Sequence, residues 1–297
     1  MSMRIAVVGP GAIGSAVAAC LHRAGHRPLL CGRTDRDHLD VRPDPAILDG
    51  KRIVVPGPVR TVPYEVTQPV DLVLLAVKAT QISHVRGWLS ALCDRNTTVC
   101  VLQNGVEQIE LVQPHCPVST VVPAVVWCPA ETQPGGWVRL RGTPKLTLPS
   151  ASGPVAAILT AAGWEVSVTD DFLTAAWHKL STNAVSGLMV LTRRRSGMFR
   201  RDDVLRVSHA YLQECLAVAR AEGANLCDDV IPQILMRLRT APPDVATSML
   251  GDREVGRPLE WDIRNGVILR KARKHGLPAP VSEVIVPLLA AASDGPG

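Results

Sequence analysis

Two groups of residues in this 297-residue chain have types and spacing suited to chemistry. The first is Gly9-Pro10-Gly11-Ala12-Ile13-Gly14, a G-x-G-x-x-G run. Such a run binds a dinucleotide only where it leaves a strand and opens a helix. There the first glycine allows a tight turn, the second lets the backbone approach a pyrophosphate, and the third lets helix and strand pack closely. The helix N-terminus then offers unpaired N–H groups and a partial positive charge to the phosphates. Without ligand, the same run is only a glycine-rich turn. The second group is Lys179 and Asn183, four residues apart and therefore on one face of a helix. A cation and an amide aimed together can orient a substrate's oxygens, stabilise developing negative charge and supply a proton. Lysine is usually a surface residue, but Lys179 lies among Ala175, Ala176 and Leu180, and it is one of only six lysines among 32 basic residues.

The surrounding elements must be strands and helices in the right order. Residues 4–8 (RIAVV) are dense in β-branched side chains, as a buried parallel strand should be. Residues 15–24 read as a helix with small residues toward the sheet, ended by Gly25. Residues 27–31 form a second strand, completing a β-α-β unit. An NAD-binding chain usually carries Asp or Glu at the end of that strand. Here Cys31-Gly32-Arg33-Thr34 stands there, and Arg33 can grip a 2′-phosphate in bidentate fashion, which points to NADP(H). Asp35 is a competing NAD signal, and Arg33 can also be a plain solvated loop arginine.

The alternation continues through strands at 70–77 and 98–102, with a helix at 83–92 between them. Lys78 and Asn104 fall just past the C-terminal ends of those strands, where open α/β sheets bind ligands. Residues 119–148, rich in Pro and Gly with short β-rich pieces, read as antiparallel strands closing the edge of the sheet. A helix at 154–162 and a strand at 164–168 complete this half. From about residue 172 strand-like alternation stops, and helices are expected at 172–191, 202–222, 228–239, 258–275 and 280–292. The expected architecture is an α/β Rossmann-type dinucleotide-binding domain over 1–169 and an all-helical substrate domain over 170–297, with the active site in the cleft between them.

With these residues in view the chain resembles the ketopantoate reductase (2-dehydropantoate 2-reductase) family along nearly its whole length. The resemblance rests on five stretches: Gly9 to Gly14 with Arg33 after it, Val77-Lys78-Ala79, Gln103-Asn104-Gly105, residues 177–183 (WHKLSTN), and Ser248-Met249-Leu250 followed by Glu260 and Asp262-Ile263-Arg264-Asn265-Gly266. It implies NADPH-dependent reduction of a 2-oxo acid, from ketopantoate to pantoate on the way to coenzyme A. It also implies Lys179 as general acid, Asn183 on a substrate hydroxyl, Ser248 on the substrate carboxylate, Asn104 and Lys78 beside the cofactor, and Glu260 at the junction of cofactor and substrate. Ser248 can otherwise be read as a helix-cap serine, and Glu260 as a solvated residue pairing with Arg264 one turn on. One departure stands out. The family's second substrate-binding Asn, four residues after the first, is Gly187 here, so a hydrogen bond to substrate is missing unless Ser186 or Ser196 replaces it. That leaves open a reductase for a different 2-oxo acid or carbonyl compound. An NADPH sensor needs none of Lys179, Asn183, Ser248 and Glu260. A β-hydroxyacid dehydrogenase tends to place its Asn before the Lys.

Composition narrows the partners. The net charge of +5 is mild and spread along the chain. The densest basic stretch, Arg193-Arg194-Arg195 with Arg200-Arg201, lacks interleaved aromatic residues, so a solvated loop is expected and no nucleic-acid stripe. No run reaches the ~18 apolar residues of a membrane helix, and no basic region followed by an apolar one marks a secretory signal. The eight cysteines include no C-x-x-C pair, and no His, Asp or Glu group has metal-ligand spacing, so reduced thiols in a cytoplasmic protein and no metal are expected. A homodimer through the helical half is the oligomer the sequence leaves open.

Overall fold

The computed structural model describes residues 3–295. Its contacts divide the chain into two units, Met1–Phe172 and Leu173–Gly297. The first unit is α/β and the second is helical, as the hydrophobic patterning requires.

In the first unit, β1 (Ile5–Val8) is buried along its whole length and runs straight into the glycine turn. The helix α1 (Ala12–Arg23) follows, and a left-handed Gly25 with a hydrogen bond from His26 N to Leu21 O closes it. Next come β2 (Leu29–Cys31), β3 (His38–Pro43), β4 (Ile53–Pro56), β5 (Leu72–Leu75), the short helix α2 (Arg86–Leu92) and β6 (Thr98–Val101). They are followed by α3 (Gln108–Val112), β7 (Thr120–Pro123), β8 (Val125–Trp127), β9 (Ala130–Thr132), β10 (Val138–Leu140), β11 (Lys145–Pro149), α4 (Gly153–Ala161) and β12 (Glu165–Thr169). Five strands make one parallel sheet in the order β2-β1-β5-β6-β7. The chain passes from β2 back across β1 to reach β5, so the crossovers reverse direction between β1 and β5. A crevice opens outside the carboxyl ends of strands at such a point.

Residues 119–148 depart from the expectation of antiparallel strands closing that sheet. Their strands are shared among three sheets. β7 extends the parallel sheet, β9 and β10 join β3 and β4, and β8 pairs with β11, which also carries β12. The pair β3 and β4 was not anticipated at all. The reason is physical: a strand's own alternation reports which face is buried but not which distant strand it pairs with. The consequence bears on the site. Leu39, Val41, Ile53, Val55, Val138 and Leu140 share a core with Ala16–Leu21 of α1. The helix that follows the glycine turn is thus buried against apolar neighbours beyond the parallel sheet. Every residue from Gly14 to Leu21 is buried, and this fixes the direction of the helix N-terminus.

The second unit contains α5 (Phe172–Val185), α6 (Gly187–Thr192), α7 (Asp202–Ala221), α8 (Val230–Thr240), α9 (Ser248–Glu254), α10 (Val267–Lys274) and α11 (Pro280–Ser293). The single helix expected over 172–191 breaks at Ser186. The helix expected to begin at 258 starts three residues later, and its first turn, Asp262–Gly266, is π-helical. Such turns place one extra residue in the helical ladder and recur at functional sites. Helix α9 is a further addition. Its signal, Thr247 capping the N–H of Leu250 at 3.2 Å, is legible once the helix is known. Among the described residues, no helix is long and apolar enough to cross a membrane, and no cysteine is disulfide-bonded.

Candidate active site

The glycine turn is built as its spacing demands. Gly9 has φ +90° and its N–H bonds to Cys31 O at 2.9 Å, tying the turn to the end of β2. A Cβ on Gly9 would stand 2.5 Å from Val77 Cγ1, and one on Gly14 would stand 2.2 Å from the Gly9 carbonyl oxygen. Only glycine fits at either position. At Gly11 a Cβ would meet nothing within 4 Å, so the space over this residue is open. Gly11 is the residue before α1, and no side chain caps the helix there. The first-turn N–H groups of Ala12, Ile13 and Gly14 have no intrahelical acceptor, and no acidic residue sits in that turn. An open space above an uncapped helix N-terminus fits the phosphates of a dinucleotide. The Pro10 carbonyl is held by Ser15 Oγ and Arg36 Nη2, each at 3.1 Å.

Arg33 lies two residues past β2, exposed to solvent. Arg36, which the sequence reading passed over, reaches back to the glycine turn through its bond to Pro10. Nothing local marks it, because its partner is 26 residues away. Lys78 and Asn104 are half-buried and follow β5 and β6. The parallel sheet therefore brings the glycine turn, Lys78 and Asn104 to the carboxyl ends of three adjacent strands. Beside Asn104, the Gln103 amide is 4% exposed, and neither of its polar atoms has a partner among the described residues. Cys31 closes this corner. Burial pushes its thiol up to about 12, against the lowering effect of Arg60, so it stays protonated near neutral pH.

In the helical unit, Lys179 is 9% exposed on α5, flanked by Trp177 and Leu180, which are 1% exposed each. It is one of few charged side chains in the interior. Asn183 is half-buried one turn later. Hydroxyls along this helix are spent on its own backbone: Ser181 Oγ donates to Trp177 O at 2.9 Å, and Ser186 Oγ to Thr182 O at 2.9 Å. Ser196 Oγ is taken by Pro242 O and Val245 N. Neither Ser186 nor Ser196 is thus available to replace an asparagine at position 187. Gly187 itself faces inward. A Cβ there would lie 2.9 Å from Asn265 Nδ2 and 3.2 Å from Leu289 Cδ1. The neighbouring His178 is pushed down by burial and by Arg237, and is neutral near pH 7.

Ser248 and Glu260 meet through a residue treated only as an ion-pair partner in the sequence reading. Arg264 Nη2 donates to Ser248 Oγ at 3.0 Å and to Glu260 Oε2 at 3.3 Å. The pair of Glu260 and Arg264 is the i,i+4 contact expected, but it is buried rather than solvated, with side chains 7% and 4% exposed. Ser248 is not the cap of its helix; Thr247 is. Helix α5 therefore presents a buried cation and an amide, while α9 presents a hydroxyl, the segment after it the Glu260 carboxylate, and the π-helical turn the Arg264 guanidinium. Arg193, Arg194, Arg195, Arg200 and Arg201 are all exposed, and Arg195 and Arg201 pair with Glu254 and Asp203.

Comparison with known proteins gives a consistent picture. Residues 5–153 match the family model described as ketopantoate reductase PanE/ApbA, and residues 171–293 match that of its C-terminal part. A 2-dehydropantoate 2-reductase of Mycobacterium tuberculosis is 61% identical over 299 residues, covering 100% of both chains. Among solved structures, a PanE/ApbA family ketopantoate reductase from Ralstonia eutropha superimposes with a TM-score of 0.87 at 31% identity, covering 98% of this chain and 99% of that one. A dimeric ketopantoate reductase from Staphylococcus aureus gives a TM-score of 0.87 at 26% identity, covering 99% and 100%.

Proposed function

Since the chain belongs to the ketopantoate reductase family, we propose that it reduces 2-dehydropantoate to pantoate with NADPH, a reaction that feeds pantothenate and coenzyme A synthesis in the cytoplasm. The observation that carries this reading is the buried Lys179 with Asn183 one turn on, in a chain whose other unit ends its parallel sheet in an uncapped glycine turn.

The roles follow from chemistry. The first unit binds the dinucleotide: Gly9, Pro10, Gly11, Ala12, Ile13 and Gly14 cradle its phosphates, Arg33 pairs the 2′-phosphate, and Lys78 and Asn104 line its path. Glu260 stands where cofactor and substrate meet. When bound, the dinucleotide supplies the hydride that adds to the keto carbon. The carbonyl oxygen then gains negative charge, and Lys179 Nζ donates the proton that completes the alcohol. Asn183 holds a substrate hydroxyl, Asn104 helps to orient the substrate, and Ser248 binds its carboxylate. The low exposure of Lys179 keeps water from competing for that charge. A homodimer belongs to the same reading, on the precedent of the Staphylococcus aureus enzyme.

Position 187 favours a second reading, a reductase for another 2-oxo acid. The glycine there offers no hydrogen bond, and Asn265 and Leu289 already take up its surroundings. Following NADPH oxidation at 340 nm with 2-dehydropantoate and with smaller and bulkier 2-oxo acids, with NADH as control, decides between them. NADPH-selective turnover of 2-dehydropantoate is expected. Turnover of another oxo acid alone would give the second reading, and no turnover of any would remove both.

A further inference from the structure

Arg264 is 3% exposed, and its Nε is buried without a partner among the described residues. A guanidinium taken so far out of water is costly unless its donors are met. Here two donors are met by one nitrogen, Nη2, on Ser248 Oγ and Glu260 Oε2. The contact with Glu260 is single and long at 3.3 Å, not the bidentate fork that a purely structural arginine–carboxylate pair favours. Ser248 sits on the solvent side of this group. It is exposed, while the arginine behind it is not. Its helix does not need its hydroxyl, because Thr247 is the cap. The Ser248 oxygen accepts from Arg264, and among the described residues its O–H has no acceptor.

We propose that Arg264 is a positioning residue that makes the site selective for carboxylates. By donating to Ser248 Oγ, it occupies the oxygen's accepting side and turns the hydroxyl proton outward. A hydroxyl that accepts from a cation is also a stronger donor. The relay runs from Arg264 Nη2–H to Ser248 Oγ–H to an ionised carboxylate oxygen, which can only accept. The relay therefore presents the Ser248 O–H as a fixed donor backed by a guanidinium whose charge Glu260 balances, and it favours an ionised carboxylate, the stronger acceptor, over a neutral group of the same shape. The inference rests on the reading above that Ser248 meets the substrate's carboxylate.

The test is a double-mutant cycle on the full-length enzyme. Steady-state kinetics of Arg264→Gln, Ser248→Ala and the double variant are measured with the 2-oxo acid that the wild type turns over best, and with its methyl ester. Arg264→Gln is expected to lower kcat/KM for the acid about tenfold, mostly through KM, as fits loss of a charge-assisted hydrogen bond. The ester should change less than about twofold. In the Ser248→Ala background the arginine substitution should cost the acid less than about twofold, because the relay is already broken. Arg264→Lys, which keeps the charge but not the fork, serves where the Gln variant does not fold. It should lose a few-fold on the acid and spare the ester. Equal losses on acid and ester, or additive losses in the cycle, would show that the arginine only supports the fold and overturn the proposal. A wild type inactive on every 2-oxo acid would instead overturn the functional reading itself, and the proposal with it.

Discussion

Replacing Gly187 with alanine tests whether position 187 belongs to the packed interior or to the substrate pocket. In an ordinary helix the change is favourable, by up to about 1 kcal/mol. Gly251 in α9 provides that ordinary case, since a Cβ there meets nothing within 4 Å. At Gly187 the new methyl would lie 2.9 Å from Asn265 Nδ2 and 3.3 Å from Asn265 Oδ1. The asparagine cannot easily withdraw. It is 0% exposed, and its Nδ2 donates to Ala184 O and to the Tyr211 hydroxyl, both at 2.9 Å. Overpacking of this kind costs about 1–3 kcal/mol, and each stretched hydrogen bond adds about 1 kcal/mol. With both hydrogen bonds counted and the helix-propensity gain subtracted, Gly187→Ala should be destabilised by about 2–4 kcal/mol, while Gly251→Ala should gain about 0.5–1 kcal/mol. Urea unfolding followed by circular dichroism at 222 nm on both variants reads the contrast. If Gly187→Ala is as stable as the wild type, or if the two variants shift alike, the packing argument is wrong and position 187 faces open space. A corollary follows for activity. Gly187→Asn should not lower KM for 2-dehydropantoate, because its amide would meet Asn265 and Leu289 rather than substrate.

The other predictions concern the site and one surface cluster. Lys179→Ala should leave NADPH binding, read by fluorescence titration, within about twofold of wild type and reduce turnover by about 10²–10⁴-fold; an unchanged rate would remove Lys179 from the mechanism. Arg33→Asp should reverse or erase the preference for NADPH over NADH, measured as the ratio of kcat/KM values, by roughly tenfold or more; an unchanged ratio would leave the 2′-phosphate to another group such as Arg36. Glu222 is raised by its burial but brought down further by hydrogen bonds from Lys271, Lys274 and His275, to about 2 against an ordinary 4.5. A carboxyl held below its unfolded value stabilises the fold fully above about pH 4.5, and that contribution disappears as the pH falls toward 2. Glu222→Gln should therefore flatten the stability profile between those values, by about 1–2 kcal/mol after allowance for solvent screening. Unfolding free energies at pH 7, 5, 4 and 3 check it, and parallel profiles for variant and wild type would refute the assignment.

The β-α-β start with its glycine turn, the change to helices near residue 172 and the candidate pair on α5 were legible in the chain, because each is written in local spacing, whereas β3, β4 and α9 were not. A strand with β-branched residues running into G-x-G-x-x-G leaves little steric choice, as the 2.2 Å approach at Gly14 shows. Lys179 and Asn183 share a face by helix geometry alone. Residues whose meaning depends on distant partners were not legible. The strands over 119–148 alternate correctly, yet their partners β3 and β12 come from elsewhere in the chain, and only tertiary pairing divided them among three sheets. Arg264 looks like any i,i+4 ion-pair partner until the fold buries it behind Ser248, 16 residues away. Gly187 reads as a missing asparagine until Asn265 and Leu289 are seen filling the space beside it. Backbone sterics and periodicity act within a few residues and so belong to the sequence, whereas burial and pairing are properties of residues that meet only after the chain has folded.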